Sequence, residues 1–217
     1  MKHEWKKDER DLYTDVKGPA IVTIPEQRFI MIDGTGDPNG EDFGERVGVL
    51  MSLAYSIKMC HKADISNDPD HASRYAYNDY TVFPPEGVWT SSAASEEGVP
   101  PDKGSLIYTI MIRQPDFITT EMFEAAYAIT EKKKPHPLLK EVRFGGIEDG
   151  ICVQMLHIGS FDDEPMSFAK MDAFVKENGY ERTDGVHREI YLSDARRTAP
   201  ERYRTILRYR IKTGEPD

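Results

Sequence analysis

The chain has 217 residues, and its 38 acidic against 28 basic side chains leave a formal net charge of −10. That charge argues against wholesale binding of a phosphate backbone, which needs a positive surface. With 39% hydrophobic residues there is material for a core, yet no run approaches the roughly 18 apolar residues of a membrane span.

Residues 1–19 read as a charged arm without a core pattern, and Met1 to Lys7 lack the apolar stretch of a secretory signal. Two cysteines, Cys60 and Cys152, cannot make a disulfide scaffold, so the expected setting is the reducing cytoplasm. Residues 20–33 predict a strand that Pro25 bends or places at an edge. A turn cluster, Gly34 to Gly40, leads into a helix over 41–62, whose Phe43, Val47, Leu50, Met51, Ala54 and Ile57 form one apolar stripe. Gly44 and Gly48 weaken that helix, and close approach to a sheet would justify them.

Tyrosine-rich residues 75–83 and then Val88-Trp89-Thr90 read as extended, and Leu106 to Ile112 as a strand. A second helix starts near Thr119 or Thr120 and ends in Lys132-Lys133-Lys134 before Pro135. Residues 138–147 fit a strand or a linker. Ile151 to Ile158 is a strand, and Asp162-Asp163-Glu164-Pro165 opens a helix for which Gly179 is the C-cap. Strands at 186–192 and 205–210 close the chain.

This order predicts an α+β fold: a single domain over 20–217 made of two β-α-β-β units, about 20–115 and 148–212, joined by a linking helix. The expected sheet is antiparallel with helices on one face, and a pseudo-two-fold arrangement would leave a central ligand groove between the units.

The stretch His187-Arg188-Glu189-Ile190-Tyr191-Leu192 alternates, so His187, Glu189 and Tyr191 share one face. An acid between an imidazole and a phenol is either a solvated sheet face or the lining of a cavity. Tyr75, Tyr77, Tyr80, Trp89, Tyr108, Phe161 and Tyr191 lie in or beside strands; they are core packing or a box for a flat ligand. In such a box Glu189 would act as counter-ion or general base. His157, alone near a strand end, has a structural role as its default. Glycine-rich phosphate loops, HExxH and CxxC are missing and the six histidines lack ligand spacing, so neither metal nor cofactor is expected.

Cys152 to Pro165, then His187 to Asp194, then Thr205 to Arg208 resemble the GyrI-like small-molecule-binding domain family. Tyr80 together with Phe83 to Trp89, and Met111 to Phe117, resemble its stand-alone branch. Phe161 stands where that family usually has Tyr, and Tyr108 where Trp is expected. The resemblance implies a tandem SHS2-type fold with Glu189 pointing into an aromatic pocket. It implies a flat aromatic or cationic small-molecule ligand, and for some relatives hydrolysis of strained cyclopropanes in alkylating natural products. Glu189 would then be the general base and Tyr80 its assistant. Trp89, Tyr108, Phe161 and Tyr191 would sandwich the ligand, Met111 and Met155 would form a pliable wall, and His157 would join the lining. The alternatives are a binding module that sequesters drugs without turnover and a gyrase-inhibitor-type module that binds protein. No nucleic-acid or membrane partner is expected, and the expected state is a monomer or weak dimer.

Overall fold

The computed structural model describes residues 1–13, 18–67, 79–92 and 102–214. Eleven strands are present among them: β1 (Lys2–His3), β2 (Ala20–Ile24), β3 (Gln27–Thr35), β4 (Asp79–Tyr80), β5 (Pro85–Ser91), β6 (Leu106–Gln114), β7 (Arg143–Ile147), β8 (Gly150–Ile158), β9 (Tyr180–Arg182), β10 (His187–Tyr191) and β11 (Arg204–Thr213). The helices are two short turns, α1 (Trp5–Asp8) and α2 (Arg10–Tyr13), then α3 (Glu41–Asn67), α4 (Thr120–Lys133) and α5 (Glu164–Glu177). No helix among the described residues is long and apolar enough to cross a membrane.

The main sheet runs β2-β8-β11-β10-β5-β6-β3-β7, with β9 paired to β11 and every neighbouring pair antiparallel. Strands β3, β5 and β6 fall within the expected first unit and β8, β10 and β11 within the expected second, and the two sets meet at the β5–β10 pair. The expected strand over 20–33 is two strands that serve different halves. Its first part, β2, pairs β8 of the second unit, while β3 pairs β6. β7 mirrors this by pairing β3, although it leads directly into β8. Only Pro25 and Glu26 separate β2 from β3, a span of at most about 11 Å at 3.8 Å per Cα step. The two outer ends of the sheet therefore come close together at that corner.

One sheet face carries the long helices. Leu50, Leu53 and Ile57 of α3 pack with Ile30, Ile32, Ile110 and Ile112. Met171 and Val175 of α5 pack with Val153, Met155, Leu207 and Tyr209. α4 lies against α3, where Ser56 Oγ donates to the Ala126 carbonyl at 3.2 Å. Thr119 caps α4, accepting from the Met122 amide at 3.3 Å. Gly179 follows α5 with φ +74°, a left-handed conformation that favours glycine. The close approach expected at Gly44 and Gly48 is not there: a Cβ at either position would meet nothing within 4 Å.

The arm is not a loose appendage. Trp5 and Tyr13 are buried, and α1 and α2 lie against the sheet face opposite the long helices. There Arg113 bonds Glu9 and the Tyr13 hydroxyl, and Gln154 Nε2 donates to the Asp11 carbonyl at 2.8 Å.

Candidate functional site

The central strand pair, β5 and β10, lies in the middle of the sheet, and one of its faces is the face that carries α3 and α5. Register places Gly87 opposite Glu189 and Trp89 opposite His187. Alternation then turns His187, Glu189 and Tyr191 toward the helices and Arg188 and Ile190 to the other face. On β5, Gly87 makes room: a Cβ there would lie 2.4 Å from Trp89 Nε1 and 2.8 Å from the Tyr191 hydroxyl. The indole and the phenol meet across that gap, Trp89 Nε1–H donating to the Tyr191 oxygen at 2.9 Å.

The first unit contributes an aromatic wall. Phe43, in the first turn of α3, stacks on Trp89 at 5.8 Å between centroids and meets Tyr108 edge-on at 5.2 Å. Trp89 and Tyr108 are 5.1 Å apart. Tyr108 lies over Gly34, where a Cβ would fall 2.3 Å from its ring. Its hydroxyl donates to Asp42 at 3.4 Å, a carboxylate gripped by Arg46. The second unit contributes Phe161, which is 41% exposed and edge-on to Tyr191 at 6.0 Å, forming an accessible rim.

Glu189 is 9% exposed. His187 Nε2 lies 3.1 Å from its Oε1, within hydrogen-bond distance. Tyr191 and Glu164, the first residue of α5, lie near enough to Glu189 for its charge to act on both. Burial, reinforced by Glu189, holds the Tyr191 hydroxyl well above the usual phenol range. Burial and the Glu189 charge likewise push Glu164 far above the usual carboxylate range. Among the described residues no Lys or Arg pairs with Glu189. The arrangement is a buried acid beside an imidazole, at the foot of an aromatic wall.

The profile of the GyrI-like small molecule binding domain matches residues 18–212. The chain belongs to the GyrI-like family. It is a small-molecule-binding domain. Three crystal structures from Listeria innocua are similar to this GyrI-like chain along nearly their whole length. An uncharacterized conserved protein is 36% identical with a TM-score of 0.83, covering 97% of this chain and 100% of its own. A hydrolase is 34% identical with a TM-score of 0.82, covering 98% and 100%. A further hydrolase structure is 33% identical with a TM-score of 0.80, covering 97% and 100%. No curated protein matches.

Of the residues singled out in the sequence, Glu189, Tyr191, Trp89, Tyr108 and Phe161 come together beside the central strand pair of this GyrI-like fold. Met155 shares the Glu189 face through Leu207, but it is buried with Met171 beneath α5. Met111 does not join them. It pairs Glu86 in register and packs with Phe29 and Met31 on the opposite face. Tyr80 is not hydrogen-bonded to Glu189 either. Its ring packs beside His61 and Phe117, and its buried hydroxyl has no hydrogen-bond partner among the described residues. His157 has both ring nitrogens engaged, with the Ser167 hydroxyl and the Ser160 carbonyl, each at 2.9 Å. It anchors the turn that carries Phe161 and Glu164. Tyr75 and Tyr77 lie outside the described residues. Sequence reasoning missed Phe43 and Glu164. Phe43 was read as helix stripe, and Glu164 as one of three acids at a helix start.

Proposed function

We propose that this site binds flat hydrophobic or cationic molecules and that Glu189 catalyses addition of water to a strained cyclopropane conjugated to a carbonyl. The observation that carries this reading is the buried Glu189 carboxyl, bonded to His187 and left without an arginine or lysine partner among the described residues. The two Listeria innocua hydrolases at 33% and 34% identity support an enzymatic role.

A flat ligand entering past Phe161 would stack against Trp89, with Tyr108 and Phe43 backing the indole. Glu189 takes a proton from water as its oxygen attacks the strained carbon. The ring C–C bond breaks, and its electron pair moves through the conjugated system to the carbonyl oxygen, which takes a proton from solvent; Glu189 releases the proton it took, so one water is added overall. The assisting tyrosine in this reading is Tyr191 rather than Tyr80, because Tyr191 shares the Glu189 face of β10 while Tyr80 packs beside His61 and Phe117. Its own firm protonation keeps it a donor that orients the carboxylate.

The test is incubation of a cyclopropane-bearing, DNA-alkylating compound with wild type and Glu189→Gln, followed by mass spectrometry for the gain of one water. Wild type should turn the compound over, and the variant should be slower by about 10² to 10⁴, the usual contribution of a general base. Binding of the compound by wild type without any turnover would replace this reading with that of a sequestering module.

A further inference from the structure

We infer that the cleft where α4 ends against α3 is a second ligand site, suited to a small zwitterion with an apolar side chain, such as a free aliphatic amino acid. None of its lining residues belongs to the aromatic wall or to β10, so it stands apart from the reading of Glu189.

The cleft has a volume of about 330 Å³, near the lower end of the range for small-molecule sites. One wall is a stripe of α3 in which Glu45, Gly48, Val49 and Ser52 recur at the spacing of a single helix face. The other is the last turn of α4 and the chain that leaves it. Gly48 makes the space. Glycine is the poorest helix former after proline, and this one has no left-handed φ to excuse it. A Cβ here would meet nothing within 4 Å, so no close neighbour calls for glycine either. What its missing side chain provides is room in the cleft.

The polar groups around that room carry both signs. Glu45, Ser52 and Lys134 make no side-chain hydrogen bond or ion pair with another described residue. His136 Nδ1 accepts from the Leu138 amide at 3.2 Å. A backbone N–H only donates, so the ring proton is on Nε2. A ligand carboxylate therefore finds Lys134 and the His136 N–H on one wall. A ligand ammonium finds Glu45, together with the last turn of α4, the negative end of that helix dipole. Val49 and Leu139 add apolar surface for a side chain. A ligand of one sign alone would face a like charge: an amine meets Lys134, and an acid meets Glu45.

The probes are L-leucine, isoamylamine, which lacks the carboxylate, and isocaproate, which lacks the ammonium. Each is titrated at pH 7 into the full chain and followed through the backbone amide signals by nitrogen-15 NMR. L-leucine should saturate with a Kd of about 1 mM, moving the Gly48 and Ser52 amides. Each one-charge probe should bind about fivefold more weakly or worse, the scale of an exposed ion pair. Gly48→Leu puts a good helix former into the cleft, so it should fold and lose L-leucine by more than about tenfold. Gly44→Leu, on the same helix but outside the cleft, should bind as wild type does. Glu45→Gln should weaken L-leucine and the amine but not the acid, and Lys134→Met the reverse pair. Glu189→Gln should bind L-leucine unchanged, which separates this site from the aromatic one. No saturable shift with L-leucine in wild type, or equal binding by wild type and Gly48→Leu, would overturn the site. A one-charge probe that binds as tightly as L-leucine would overturn the zwitterion.

Discussion

Glu86 and Glu189 are both buried carboxylates, on the neighbouring central strands β5 and β10, and they look out from opposite faces of one sheet. Glu86 bonds the Arg188 guanidinium at 3.2 Å; Arg188 in turn bonds Asp149 at 3.0 Å and lies over the Phe29 ring. Burial pushes Glu86 upward, and Arg188 and Arg208 pull it back. Glu189 instead has His187 at 3.1 Å, with Tyr191 and Glu164 near it. A carboxylate locked to a fixed guanidinium is committed to the fold. One beside an aromatic wall, with no guanidinium bound to it, is a candidate to meet a ligand. Adjacent residues of one strand, Arg188 and Glu189, thus fall on the structural face and the candidate-site face respectively.

Cutting the structural side should give the larger stability effect. Arg188→Leu leaves Glu86 and Asp149 without their shared cation, and breaking a buried pair costs about 3–5 kcal/mol. Urea unfolding followed by circular dichroism measures it. Glu189→Gln, read the same way, should shift stability by no more than about 1 kcal/mol, the scale of one rearranged hydrogen bond. Equal losses in the two variants would break the contrast between the faces.

Gly87 tests the site side at intermediate size. Added at this position, a Cβ falls on Trp89 Nε1 and the Tyr191 hydroxyl, so Gly87→Ala must displace one of them. Overpacking of this kind costs about 1–3 kcal/mol. The indole–phenol hydrogen bond should break, visible as a change in Trp89 fluorescence, with ligand affinity falling alongside. An unchanged emission spectrum and unchanged binding would mean that the Trp89–Tyr191 contact does not shape the site.

Much of this was legible in local pattern. The alternation over 187–192 correctly grouped His187, Glu189 and Tyr191, because a strand side chain's face depends only on parity. Parity also held an unused warning: Tyr108 and Met111 are three residues apart on β6, so they could not line the same site. Long-range facts were not legible. That β2 joins the second unit and β7 the first is decided by pairing partners over a hundred residues away. Asp162, Asp163 and Glu164 satisfy the same helix-start rule, and only the docked angle of α5 selects which one turns inward. Trp5 and Tyr13 looked like stray aromatics in a charged arm because the sheet face they cover is assembled from distant strands.

The smallest effect comes from the same substitution placed where the structure leaves space. Gly44 is exposed on α3, next in sequence to Phe43 of the aromatic wall, and a Cβ there meets nothing within 4 Å. Its φ is not in the left-handed region, so alanine fits the existing backbone. Gly44→Ala should therefore stabilise the protein by up to about 1 kcal/mol through helix propensity alone, a rise in thermal midpoint of a few degrees. Gly87→Ala and Gly44→Ala add one methyl each and should move stability in opposite directions. If both destabilise, α3 needs flexibility at Gly44 to seat Phe43 against Trp89, and the wall is less rigid than its packing implies. If both are neutral, the space around Trp89 is not as tight as the 2.4 Å approach requires.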